Sequence, residues 1–97
     1  MYAIVLLRYR KPIEQVVANT EAHRAYLRSL MENGTLLVAG PLDPRYGGAL
    51  LLRVPDHQDT KALDALIQAD PFYVNGIAQY EILPWNPVMG AEALDRL

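Results

Sequence analysis

The chain holds few side chains able to move a proton near neutral pH, and two of them are histidines, His23 and His57. Imidazole titrates close to physiological pH, so a histidine held in position serves as a general acid or base. His23 stands three residues before Tyr26 and four before Leu27, which puts it on the apolar side of a helix. Two readings are open to it: a partly buried ring satisfied by backbone or water, or a proton-transfer group. Asp70, followed by Pro71, also has two readings. Aspartate at an N-cap with proline at the first helical position is a favoured helix start. A carboxylate can also hold an imidazole in one tautomer and stabilise its protonated form.

Other chemistries are poorly served. His57 lies in a polar capping stretch and is expected to be exposed, and no acidic cluster accompanies either histidine. No metal site is therefore expected, since such sites take three or more protein ligands. The chain has no cysteine, which excludes disulfides and thiolate ligands. Its one serine, Ser29, falls in mid-helix and not in a strand-to-helix elbow. Gly47-Gly48 reads as a hairpin turn, because no helix start follows as a phosphate loop requires. Tyr9, Tyr26, Tyr46, Tyr73 and Tyr80 could line a pocket for an aromatic ligand, and each equally suits ordinary packing.

These residues need elements to position them. Tyr2 to Tyr9 reads as a first strand, apolar on both sides, with Tyr2, Ile4 and Leu6 facing one way and Ala3, Val5 and Leu7 the other. Lys11-Pro12 breaks it. From Ile13 to about Asn33 the period becomes helical, with a stripe of Ile13, Val16, Val17, Tyr26, Leu27, Leu30 and Met31. Asn19 or Thr20 is expected to interrupt this helix, and Asn33-Gly34 to stop it. Leu36 to Ala39 forms a second strand, ended by Gly40-Pro41. Asp43 to Gly48 is dense in turn formers and leads into a third strand, Ala49 to Val54. A second helix, capped by Asp56, Asp59 or Thr60, runs to about Ala69. Phe72-Tyr73-Val74 makes one short turn, Ile77 to Leu83 a fourth strand ended by Pro84, and Ala91 begins a last turn in the tail, residues 84–97.

The order β-α-β-β-α-β is the ferredoxin-like, α+β arrangement, a four-stranded antiparallel sheet with both helices on one face. The 97 residues suit a single domain. Two helices cover one sheet face, yet three strands are apolar on both. An open apolar face exceeding a few hundred Å² calls for a partner, so a homodimer with sheets face to face is expected. Net charge is −2 with no basic run, so no nucleic-acid partner is expected. Arg8, Arg10 and Lys11, and Arg24 with Arg28, read as solvated charges. The N-terminal apolar stretch is strand-like, too short for a signal peptide or membrane span, which makes the cytoplasm the expected location.

Several segments together resemble the YciI-like (YCII-related) family: His23-Arg-Ala-Tyr-Leu27, Gly34-Thr-Leu-Leu, Ala39-Gly-Pro41, Gly48 opening a strand, Ala69-Asp-Pro-Phe72 and Gly76. The resemblance spans residue 1 to about 85 and implies a ferredoxin-like fold that pairs into a dimeric α/β barrel. It further implies that His23 and Asp70 share a cleft as an acid/base dyad. On that basis the chain is expected to be a cofactor-independent lyase, dehydrochlorinase or isomerase acting on a cyclic or aromatic small molecule. A non-catalytic ligand-binding dimer is the alternative. Arg8, at the end of the first strand, could supply charge to an anionic oxygen, and Pro41 and Tyr73 are candidate cleft walls.

Overall fold

The computed structural model of the chain describes residues 1–55 and 60–97. The expected second-helix cap at Asp56, Asp59 or Thr60, and His57, fall outside the described side chains. In chain order the elements are β1 (Tyr2–Tyr9), α1 (Ile13–Glu32), β2 (Leu36–Pro41), β3 (Gly47–Arg53), α2 (Thr60–Gln68), α3 (Pro71–Val74), β4 (Ala78–Trp85) and α4 (Ala91–Asp95). The strands form one antiparallel sheet in the order β2-β3-β1-β4. This is the ferredoxin-like βαββαβ fold, with α3 and α4 as single-turn additions.

Register decides which side chains share a face. Ala3 pairs with Leu52 and Val5 with Leu50, and all four are buried together with Val16 and Leu30 of α1, Leu63 and Ile67 of α2, and Phe72 of α3. The other face carries Ile4 against Leu51 and Leu83, with Val38 and Trp85 further out. Val38, Leu83 and Trp85 remain exposed.

α1 is continuous where an interruption is expected. Asn19 Nδ2 donates to the carbonyl of Gln15 at 2.9 Å and Thr20 Oγ1 to that of Val16 at 2.7 Å. Both side chains thus satisfy themselves one turn back within the helix, the accommodation open to short polar residues in mid-helix. The apolar stripe is also narrower than its residue types indicate: Val16, His23 and Leu30 are buried, whereas Ile13, Val17 and Met31 stand exposed. The helix stops as the sequence requires. Thr35 N–H donates to the Leu30 carbonyl and Gly34 N–H to that of Met31, with Gly34 at φ 84°, the paired bonds of a Schellman ending.

β2 extends through Gly40-Pro41, and β3 begins at Gly47. A Cβ on Gly47 would lie 1.8 Å from the Leu7 carbonyl oxygen, so only glycine fits where β3 meets β1. β4 runs past Pro84 to Trp85. It is an edge strand, where proline can sit with its missing N–H turned away from the ladder. The tail returns over the open sheet face: Tyr2 Oη donates to Asp95 at 2.6 Å, and Arg53 donates to the carbonyls of Leu94 and Leu97. Among the described residues no helix is long and apolar enough to cross a membrane.

Candidate active site

Asp70 sits between α2 and α3 and caps the latter. Its Oδ1 accepts the Phe72 N–H at 2.9 Å, and Pro71 occupies the first turn. α3 closes with the same double bond seen at the end of α1, Ile77 N–H to Phe72 and Gly76 N–H to Tyr73. The short helix is therefore fixed at both ends, and with it the carboxylate. Asp70 is 1% exposed. A carboxylate is expensive to bury without partners. Three donors supply them.

The first is the Phe72 amide. The second is His23, whose Nδ1 lies 2.8 Å from the same Oδ1. The third is Tyr80, whose Oη donates to Oδ2 at 2.6 Å. Burial, and then the bond to Asp70, push the Tyr80 phenol well above its ordinary range, so it stays protonated and donates. Tyr80 reaches Asp70 because register places it beside Leu7 on the helix-covered face of β1.

α1 delivers His23 from the opposite side. Its ring stacks on Phe72 with centroids 3.9 Å apart and planes parallel, and Phe72 in turn meets Tyr9 edge-on at 6.1 Å. Two further bonds lock α1 against its neighbours: Tyr26 Oη to the Leu66 carbonyl at 2.6 Å, and Asn75 Nδ2 to Asn19 Oδ1 at 2.9 Å. An ionised carboxylate only accepts. Its bond with His23 therefore requires a proton on Nδ1, and in the neutral ring leaves a lone pair on Nε2. Every fully buried side-chain polar atom among the described residues has a partner. Nε2 has none, so it reaches accessible space.

That space is a cavity of about 360 Å³. Its walls are Leu7 and Tyr9 of β1, Thr20, His23, Arg24 and Leu27 of α1, Ala39, Gly40 and Pro41 of β2, Arg45 of the hairpin, Gly48, Ala49 and Leu50 of β3, and Phe72. The volume falls within the roughly 300–1,000 Å³ of small-molecule sites. Of the residues singled out from sequence, His23 and Pro41 line the cavity and Asp70 stands directly behind His23. Tyr73 turns outward, its ring edge-on to Tyr80. Arg8 lies on the opposite sheet face, 3.4 Å from Glu81. Sequence reasoning names Tyr80 only among five possible pocket-lining tyrosines, Phe72 only in a short turn and Arg24 only as a solvated charge, and it does not single out Arg45. For Tyr80 a signal existed, its shared parity with Ala78 and Ile82; for Arg45, inside a turn, none did. Among the described residues no group of three or more metal-ligating side chains occurs.

Fold and site together define a ferredoxin-like domain with a histidine–aspartate pair set in the wall of an open cavity. A family model for the YCII-related domain matches residues 1–86, and the chain belongs to that family. The solved structure of 5-chloro-2-hydroxyhydroquinone dehydrochlorinase (TftG) from Burkholderia phenoliruptrix AC1100, in complex with 2,5-dihydroxybenzoquinone, has the same fold. The two superpose with a TM-score of 0.75 over 91% of this chain and 96% of that one, at 22% identity. A search of curated protein sequences finds no significant match.

Proposed function

We propose that the protein is a small-molecule enzyme of lyase or isomerase type, acting on a cyclic or aromatic substrate held in the 360 Å³ cavity. The observation that supports this is the buried Asp70–His23 bond, with His23 lining the cavity. Nε2 takes a proton from a carbon or oxygen of the substrate, and the bonding pair stays with the substrate. In a lyase that pair forms a new π-bond and expels a leaving group on the neighbouring atom, with chloride as the example in dehydrochlorination. In an isomerase the proton returns at a different atom. Asp70 holds the imidazolium formed in either case, and Tyr80 and the Phe72 amide keep Asp70 in place. Such a positioned base contributes on the order of 10²–10⁴-fold in rate. The chemistry uses protons alone and calls for no cofactor. The dehydrochlorinase activity named for the structurally similar protein agrees with this reaction type.

Turnover of hydroxylated aromatics, lactones and halogenated phenols by wild type and His23→Ala tests the reading. A substrate consumed by wild type and spared by the folded variant supports it. Ligands that bind equally well to both proteins without turnover by either would establish the alternative, a non-catalytic binding module.

A further inference from the structure

Among the described residues, the cavity is lined by two arginines and no acid. Arg24, one position past His23 on α1, and Arg45, in the β2–β3 hairpin, both line it. Both are exposed, whereas His23 at the inner end is buried. Among the described residues neither guanidinium has a hydrogen-bond or ion-pair partner. A second hollow adjoins the first along α1 and β2, sharing Arg24, Leu27 and Ala39, and adds Arg28. Among the described residues, no Asp or Glu lines either hollow. Three arginines thus converge on one groove of a chain whose net charge is −2.

Guanidinium is planar and pairs side-on with carboxylate, more strongly than a neutral donor would. The cavity floor is apolar, with Leu7, Leu27, Leu50 and Phe72, and suits a flat ring. We infer that the ligand is a ring-bearing carboxylic acid whose carboxylate is held at the mouth by Arg24 and Arg45, with the ring extending inward to His23. This rests on the reading that the cavity is the substrate site, and it deepens that reading by giving the substrate a charge and an orientation. Arg24 and Arg45 are then the residues that select the substrate, while His23 acts on it.

The test compares 2,5-dihydroxybenzoate with its uncharged parent, 1,4-dihydroxybenzene, by titration calorimetry and by NMR of the His23 ring. The proteins are wild type, Arg24→Gln/Arg45→Gln, and His23→Asn, with melting temperature confirming that each is folded. Wild type is expected to favour the carboxylate by about tenfold or more, and added salt is expected to shrink that preference. The arginine double variant should bind the two probes nearly alike, while His23→Asn should keep the preference. Equal binding of both probes by wild type, binding of neither at millimolar concentration, or a preference that survives loss of both arginines overturns the inference. Inorganic phosphate displacing the carboxylate at equal concentration also overturns the choice of a carboxylic acid. A preference that persists while no substrate is turned over leaves this inference standing and removes the enzymatic reading.

Discussion

His23 Nδ1 and Asp70 Oδ1 lie 2.8 Å apart, though 47 positions separate the two residues along the chain. Each is placed by its own local structure, His23 by the buried stripe of α1 and Asp70 by the cap of α3. The capping role and the orienting role of Asp70 are therefore compatible, because Oδ1 serves both the Phe72 amide and the imidazole.

That sharing separates two substitutions at one position. Asp70→Asn keeps a good N-cap, but its amide can present a donor to His23 and favour the wrong tautomer. Turnover is expected to fall by at least about 10²-fold with unfolding free energy lowered by less than about 1.5 kcal/mol. Asp70→Ala removes the cap and strands the Tyr80 hydroxyl and the His23 Nδ1–H. It should cost about 3 kcal/mol or more. Urea denaturation beside steady-state kinetics checks both. Undiminished turnover by a folded Asp70→Asn variant would show that the carboxylate does not orient His23, and equal losses of stability in the two variants would show that the cap contributes nothing.

Tyr80→Phe tests the support behind the carboxylate. The ring stays, and one buried hydrogen bond goes, which costs about 1–3 kcal/mol because the acceptor is charged. The pH dependence gives a sharper readout. The Tyr80 phenol is raised above its ordinary value of 10.0 by burial and by Asp70, and burial raises Tyr26 in the same direction. The folded protein therefore holds protons that the unfolded chain releases above pH 10. This stability is fully present below that pH and is lost as pH rises beyond it. Urea midpoints measured from pH 8 to 11.5 should fall steeply above about 10 in wild type. They should fall less steeply in Tyr80→Phe. Parallel curves for the two proteins would contradict the assignment.

Gly47 makes a steric prediction. An added methyl would meet the Leu7 carbonyl oxygen at 1.8 Å, a contact that only backbone displacement relieves. Gly47→Ala should cost about 3 kcal/mol or more. It should also disturb the cavity, since Leu7 and Gly48 both line it. Gly34→Ala provides the comparison: open space surrounds it, and only its φ of +84° is unfavourable, for a cost of about 1–2 kcal/mol. Thermal melts of the two variants should rank in that order.

The legible parts of the sequence were the local ones. Asn33-Gly34 marks the end of α1 and Asp70-Pro71 the start of α3, because capping depends on a few adjacent residues. The alternation in β1 separated Ala3, Val5 and Leu7 from Tyr2, Ile4 and Leu6, and burial follows that division. Asn19 and Thr20 misled, because the same side chains that start a helix can bond back within one. Pro84 misled as well, since proline ends a central strand but not an edge strand, and strand order is not a local property. The proximity of His23 to Asp70 came from family resemblance alone; the parity of Tyr80 with Ala78 and Ile82 marked its face, but its meeting with Asp70 and the place of Arg45 at the cavity depend on register and hairpin geometry that no short window contains.

The open face of the sheet remains to be occupied. Ile4, Leu6 and Leu51 lie at its centre, with Val38, Leu83 and Trp85 around them. Val38 is 55% exposed, Leu83 39% and Trp85 43%, an apolar surface of the kind that soluble chains usually cover. The tail shields only the end near Tyr2 and Arg53. A second copy meeting this face with its own would bury both, and two-fold symmetry satisfies the match automatically. Wild type should therefore sediment as a dimer at micromolar concentration. Leu51→Glu, which places a carboxylate at the middle of the contact and leaves the helix-covered core intact, should give a monomer with its helical circular dichroism preserved. Wild type that sediments as a monomer at 100 μM would leave the face without a self-partner.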